Sequence, residues 1–202
     1  MMILILPLTI VPLTAEAKDD SAQSREYKIK AAFLYNFIKF VDWPEEKTSD
    51  SNEPIIISII GKDPFGRVFE PIKNKKVKNR IVVIKRFKSF EAIQKLGEHG
   101  RAEFDRNINY LRKCHLLFVC SSEKDKVKEV LALVKDHSVL TVADTRGFLE
   151  SGGIINFLME DKKVRFEINV AAAKKSKLKI SSKLLRLAKR VVKEKSPQQE
   201  KG

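Results

Sequence analysis

From Tyr27 to Val41 apolar side chains return every three or four positions, whereas after Pro54 they gather into short unbroken runs. The first pattern is helical. Tyr27, Ala31, Leu34, Ile38 and Val41 fall on one stripe of a helix predicted over residues 25–42. Trp43-Pro44 stops it, because the residue ahead of a proline is pushed out of the helical region. A second stripe follows at Phe33, Phe37 and Phe40, leaving only Lys30, Asn36, Lys39 and Asp42 clearly polar. One buried face needs a stripe only about 100° wide. The surplus is either packed inside the same domain, between sheet and C-terminal helix, or exposed for a second chain or partner. In the second case Phe33, Phe37, Phe40 and Trp43 are the anchors, since interfaces favour aromatic ones.

A polar linker spans residues 45–53. Behind Pro54, IIISII is apolar throughout and short, as a strand buried on both faces would be. Gly61 ends it, and Asp63-Pro64 is helix-start chemistry, a cap followed by proline at the first helical position. A second strand is predicted over Val77–Phe87 with a bulge or bend at Asn79-Arg80. Residues 89–112 read as mostly helical despite Gly97 and Gly100. CHLLFVC (114–120) is a third strand, Ser122 opens a helix with Val127, Val130, Leu131 and Val134 on one face, and Val139–Ala143 is a fourth strand. Asp144–Gly147 is a turn or a helix start. Ile154–Met159 and Val164–Ile168 form a hairpin, Asn169 caps VAAAKK, and Ser181 or Ser182 caps a last helix, KLLRLAKRVVKEK. This order predicts an α/β fold, a single-domain sandwich whose mixed, mainly parallel sheet of five to six strands is flanked by helices.

Composition changes the picture only at the ends. The 202 residues are 43% hydrophobic and 33% charged, an ordinary globular balance. Residues 1–17 join the apolar run Ile3–Leu13 to Ala15-Glu16-Ala17, an A-x-A cleavage pattern, and are predicted to be a signal peptide lacking its positive n-region. The working domain is then 18–191, in the periplasm, followed by a disordered basic tail at 192–202. No later apolar run reaches the roughly 18–20 residues of a spanning helix. Net charge is +14, and from Lys174 onward eleven Lys/Arg face only Glu194 and Glu200. Export leaves lipid headgroups, envelope glycolipids and acidic proteins as the available anions. The arm therefore reads first as a solvated helix face with a frayed tail, second as a weak contact with anionic envelope components, and not as a nucleic-acid binder.

Chemistry is sparse. No phosphate loop, nucleophile elbow or dinucleotide fingerprint is present. Cys114 and His115 are neighbours on a predicted strand and face opposite sides, so they make no nucleophile–base pair. His99 and His137 lack ligand spacing, and no metal site is expected. Cys114 and Cys120 would share a strand face yet lie about 20 Å apart, beyond the roughly 7 Å Cα separation a bridge spans. No disulfide within the chain is expected. Asp63 and Asp144 would lie at the sheet's carboxyl edge, where open α/β sheets bind ligands, although capping explains both. Gly152-Gly153 is a turn, or an anion nest.

The stretches AAFLYNFIKFVDWP, IGKDPFG, CHLLFV, LTVADTRGF, SGGIINF, VRFEINVAAA and LKISSKLLRLAK follow one another in an order that resembles the YfiR-like family, over about residues 25–191. The resemblance implies an exported α/β sandwich that forms a homodimer and binds the periplasmic sensor part of a membrane-bound diguanylate cyclase or sensor kinase, controlling its output. It implies a binding protein rather than an enzyme, with no cofactor. Cysteines that some relatives use for bridges are missing here. The alternative is a binder of a small molecule or envelope component feeding a sensor, with its cleft at Asp63, Phe65, Asp144, Gly147, Gly152 and Gly153.

Overall fold

A computed structural model of the chain describes residues 16–44, 53–72 and 74–193. Nearly all of the predicted signal peptide, and the tail beyond Lys193, lie outside the described residues. Helix α1 (Glu16–Phe40) leads into β1 (Val41–Asp42). Strands β2 (Ile55–Ile60), β3 (Lys76–Val77) and β4 (Arg80–Phe87) follow, then α2 (Phe90–His99), α3 (Arg101–Lys113) and β5 (Leu116–Val119). Helix α4 (Val127–Leu133), β6 (Leu140–Ala143), β7 (Ile155–Glu160) and β8 (Lys163–Asn169) come next. The chain closes with α5 (Val170–Lys175), β9 (Lys179–Ile180), α6 (Ser182–Leu187) and β10 (Arg190–Val192).

The main sheet runs β10-β8-β7-β6-β5-β2-β4-β3. It is parallel from β4 across to β7, with β8 antiparallel to β7 and β10 parallel to β8. The predicted class therefore holds, with eight strands rather than five to six. The two additional strands are short edge pieces. Lys78 and Asn79 both have positive φ (50° and 64°), which is the geometry of a two-residue hairpin turn, so the predicted bend is a turn joining β3 to β4. Beyond α6, Lys189 N–H bonds Phe166 O at 2.8 Å and Val191 and Val192 lie along β8.

Two apolar layers flank the sheet. On one side α1 and α6 cover Ile57, Ile59, Leu116, Phe118, Val142 and Phe157. On the other α2, α3 and α4 cover Ile60, Leu117, Val119 and Ala143. Leu116, Phe118 and Cys120 thus face α1, while Leu117 and Val119 face away. Cys114 lies before β5, at the end of α3, and belongs to the second layer. Neither cysteine is in a disulfide, and the two are buried on opposite faces, because the strand is shorter than its apolar run.

The double stripe of α1 is largely consumed by this packing. Tyr27, Ala31, Leu34, Ile38 and Val41 are buried, and so is Phe37, at 0% exposure. Phe37 stacks on Phe157 at 5.6 Å and meets Phe166 edge-on at 5.1 Å. Its proposed role as a partner anchor is corrected: a side chain with no exposed surface belongs to this chain's own core. Phe33, Phe40 and Trp43 are half-buried, packed against the same core.

Candidate functional site

Strand β2 lies between β4 and β5, so the order of the sheet reverses there, and open α/β sheets hold ligands outside the carboxyl ends at such a point. Here the protein's own side chains close it. Gly61 follows β2 with φ +101°, and a Cβ on it would come within 2.5 Å of Ser122 Oγ and 2.8 Å of Glu123 Oε1. Ser122 Oγ accepts the Lys62 N–H at 2.9 Å. Buried Glu123 accepts the Phe90 N–H at 2.9 Å and so satisfies the start of α2. On the α1 side Phe65 is buried edge-on between Tyr27 (5.2 Å) and Phe118 (4.8 Å).

The reading of Asp63 as a helix cap is corrected: the turn that follows has Phe65 at its N-cap with no side-chain cap bond, Pro64 lies outside it, and Asp63 makes a local turn of its own. One carboxylate oxygen accepts the Phe65 N–H at 2.7 Å and the other accepts Arg86 Nε–H at 2.6 Å. The helix that follows is a single 3₁₀ turn, Gly66–Phe69.

Asp144 does something else. Just past β6, its Oδ2 lies 2.5 Å from Lys30 Nζ and accepts the Tyr27 hydroxyl at 2.9 Å. Lys30 also reaches Glu26 at 2.5 Å and sits 4.3 Å from the Tyr27 ring centroid. The side chains of Lys30 and Asp144 are only 4% and 7% exposed. Ions removed from water to that extent persist only when paired and hydrogen-bonded. Even so, Asp144 Oδ1 is buried without a hydrogen-bond partner among the described residues, as is the neighbouring Thr145 Oγ1. The expectation that Asp144 acts as a cap is therefore corrected.

Burial, reinforced by the Asp144 charge, pushes the Tyr27 phenol above its ordinary range and keeps it a donor. The Cys120 thiol is pushed up by burial and then by the carboxylates of Asp63, Asp144 and Glu123. It stays a thiol, which is the unreactive form. His115 is buried, with Nδ1 accepting the Ile56 N–H at 3.2 Å and its ring edge-on to Trp43 at 5.6 Å. Among the described residues no group of three or more His, Cys, Asp or Glu is arranged to hold a metal.

Beside Asp144 opens a cleft of about 420 Å³, bordered by Arg146, Gly147, Asn156, Glu167 and Arg190. Gly147 turns the chain there with φ +80°. Asn156 stitches the floor: its Oδ1 accepts the Thr145 N–H at 3.2 Å and its Nδ2 donates to Glu167 at 3.3 Å. Arg190 closes the rim against Glu167 at 2.6 Å and Glu150 at 3.3 Å. Of the six residues predicted for a cleft, only Asp144 and Gly147 line this one. Phe65 is core and Asp63 is held by Arg86. Gly152 lines a different groove, of about 690 Å³, between α4 and α5. The N–H groups of Gly152 and Gly153 bond Leu149 O (3.1 Å) and Phe148 O (2.9 Å), so they form no anion nest. Gly153 is required by packing, since a Cβ would fall 2.2 Å from the Phe148 ring.

With this geometry established, comparison with known proteins is decisive on one point. Residues 27–189 match the YfiR/HmsC-like family. The chain belongs to that family. The match starts at Tyr27 and takes in Lys30, Asp144 and the whole Asp144 cleft save Arg190. No curated relative matches the chain significantly. Among solved structures it is similar to a conserved domain protein from Vibrio cholerae O1 biovar El Tor, with TM-score 0.51 and 9% identity, over 82% of this chain and 60% of that one. The chain thus spans less than two thirds of that protein, and the likeness is one of fold.

The sequence marks Tyr27 only as a stripe residue, and Lys30 escapes sequence reading because lysine on a helix is ordinarily solvated. A signal was present: Tyr27, Lys30, Ala31 and Leu34 follow i, i+3, i+4, i+7 spacing, which puts Lys30 within the buried stripe.

Proposed function

We propose that this YfiR/HmsC-like protein is an exported regulator that docks on the periplasmic sensor part of a membrane-bound diguanylate cyclase or sensor kinase and controls its output, working as a homodimer. Family membership over residues 27–189 carries the reading. The fold supports it through what it leaves uncovered. Ile29 is 39% exposed on the outer side of α1, Met159 is 47% exposed at the end of β7 and Leu187 is 65% exposed at the end of α6. Ile29, Ala32 and Phe33 line an apolar groove along α1, flanked by Arg25 and Lys28. Apolar anchors ringed by cations suit an amphipathic helix bearing carboxylates. The buried, proton-holding Cys120 and the paired Asp63 also favour binding over catalysis. No helix among the described residues is long and apolar enough to cross a membrane.

The test is affinity capture from intact periplasm, with cyclic di-GMP measured in parallel. Wild-type protein should retain a membrane cyclase or kinase, and Ile29→Glu should release it while remaining folded. Failure of every cyclase and sensor kinase of the host to bind, with cyclic di-GMP unchanged on deletion, would refute the reading. Light scattering at half the expected dimer mass would remove the homodimer.

A further inference from the structure

We propose that the cleft beside Asp144 is an effector site for a small carboxylic acid that also carries a hydroxyl or amino group, its donor held by Asp144 and its carboxylate by Arg146. The inference stands apart from the docking reading, because it concerns the isolated protein.

The argument is by accounting for the polar groups around the cleft. Asn156 uses its oxygen on Thr145 N–H and its nitrogen on Glu167. Arg190 is held by Glu167 and Glu150, which leaves those two carboxylates engaged as well. Two lining groups remain. Asp144, with its side chain 7% exposed, has one oxygen on Lys30 and Tyr27 and the other, Oδ1, buried with no donor among the described residues. Arg146 lines the same cleft, is exposed, and forms no ion pair among the described residues. A buried carboxylate oxygen without a donor costs free energy in the folded protein. Almost none of Oδ1 is exposed, so a ligand N–H or O–H would relieve that cost as the carboxylate turns toward the cleft. A guanidinium takes a carboxylate in a two-pronged hydrogen-bonded geometry. A ligand carrying both groups close together satisfies both residues, and the cleft falls within the roughly 300–1,000 Å³ range of small-molecule sites. A neutral alcohol would leave Arg146 unused, and a plain carboxylic acid would leave Asp144 unrelieved.

Position gives the site a consequence. The carboxylate that would receive the ligand already grips α1 through Lys30 and Tyr27, and the outer side of α1 carries Ile29 and Phe33. Ligand binding therefore acts on the helix that bears the uncovered apolar groove.

Calorimetric titration of the folded chain with the twenty L-amino acids, lactate, malate and citrate, each beside its analogue lacking the hydroxyl or amino group, tests the proposal. At least one acid should bind saturably, its donor-less analogue about tenfold or more weakly, and Arg146→Ala should weaken it by about tenfold or more. Arg146 is exposed and unpaired in the fold, so this variant should fold normally, whereas Asp144→Asn disturbs Lys30 and serves only as confirmation where it folds. Absence of binding by the whole panel at about 10 mM, beyond the millimolar affinity that a few such bonds supply, would overturn the proposal. So would equal binding by donor-less analogues, or unchanged binding by Arg146→Ala. None of these outcomes bears on partner capture, so the two readings fail separately.

Discussion

Replacing Lys30 with methionine keeps most of the side chain's length and apolar stem while deleting its charge. In the native protein that leaves Asp144, with its side chain 7% exposed, holding only the Tyr27 hydroxyl. Removing one member of a buried ion pair typically costs about 3–5 kcal/mol, because the survivor stays buried and uncompensated. Glu26 also loses its partner, but its side chain is 24% exposed, so water takes over and the cost stays below about 1 kcal/mol. The expected loss for Lys30→Met is about 3 kcal/mol, a large part of the roughly 5–15 kcal/mol that holds a domain folded. Asp144→Leu should cost less, about 2 kcal/mol, since Lys30 keeps Glu26 at 2.5 Å. The double variant removes both charges and should fall within about 1–2 kcal/mol of wild type, so the two single losses do not add. Urea unfolding at neutral pH reads this directly, provided the slope with denaturant is common to all four proteins. A Lys30→Met loss under about 1 kcal/mol, or additive losses in the double variant, would refute the idea that these two ions depend on each other.

Other consequences concern packing and pH. Cys120 and Tyr27 keep protons in the folded chain that the unfolded chain releases near ordinary values of 9.0 and 10.0. Their contribution is thus complete below those values and lost as pH rises. Above pH 9, wild type should lose stability about 1.4 kcal/mol per pH unit faster than Cys120→Ala, under reducing conditions; parallel profiles would contradict this. Gly153→Ala should destabilise by about 1–3 kcal/mol, seen as a lowered thermal midpoint, because its methyl meets the Phe148 ring at 2.2 Å. Phe37→Ala should cost about 3–5 kcal/mol in urea, while Ile29→Ala, at a site 39% exposed, should change stability by less than about 1 kcal/mol.

Much of the fold could be read from local pattern. IIISII, LLFV and the 154–168 hairpin fall where apolar runs and turn residues put them, and the Asn169 and Ser181 side chains accept N–H groups at their helix starts as their positions suggest. What escaped depends on partners distant in sequence. KLLRLAKRVVKEK has helical spacing throughout, yet the helix stops at Leu187. Lys189 and Arg190 find Glu160 and Glu167 on the neighbouring hairpin, and β-branched Val191 and Val192 gain a strand beside β8. Asp144 read as a cap because capping needs only near neighbours, while its actual partner lies 114 residues earlier. Phe33 and Phe37, four residues apart, show the same limit. A helical wheel counts the stripe they share, but only the sheet decides that one is buried and the other left half-open.

These observations converge on α1. Its inner side is fixed to the sheet by Leu34, Phe37 and Ile38, all at 0% exposure, so the helix cannot shift as a whole without opening the core. Midway along it the packing changes character. Residues 22–25 are exposed, and among the described side chains the attachment next to them joins the Tyr27–Phe65 ring contact to polar bonds from Lys30 and Tyr27 to one oxygen of Asp144. Ion pairs and hydrogen bonds can be exchanged with a ligand at far less cost than repacking phenylalanines. If either half of this helix responds to occupation of the Asp144 cleft, it is therefore the amino-terminal half. Ile29 lies one residue from Lys30 and faces outward, so the attachment that a ligand would alter and the apolar surface offered to a partner are separated by a single position in the chain.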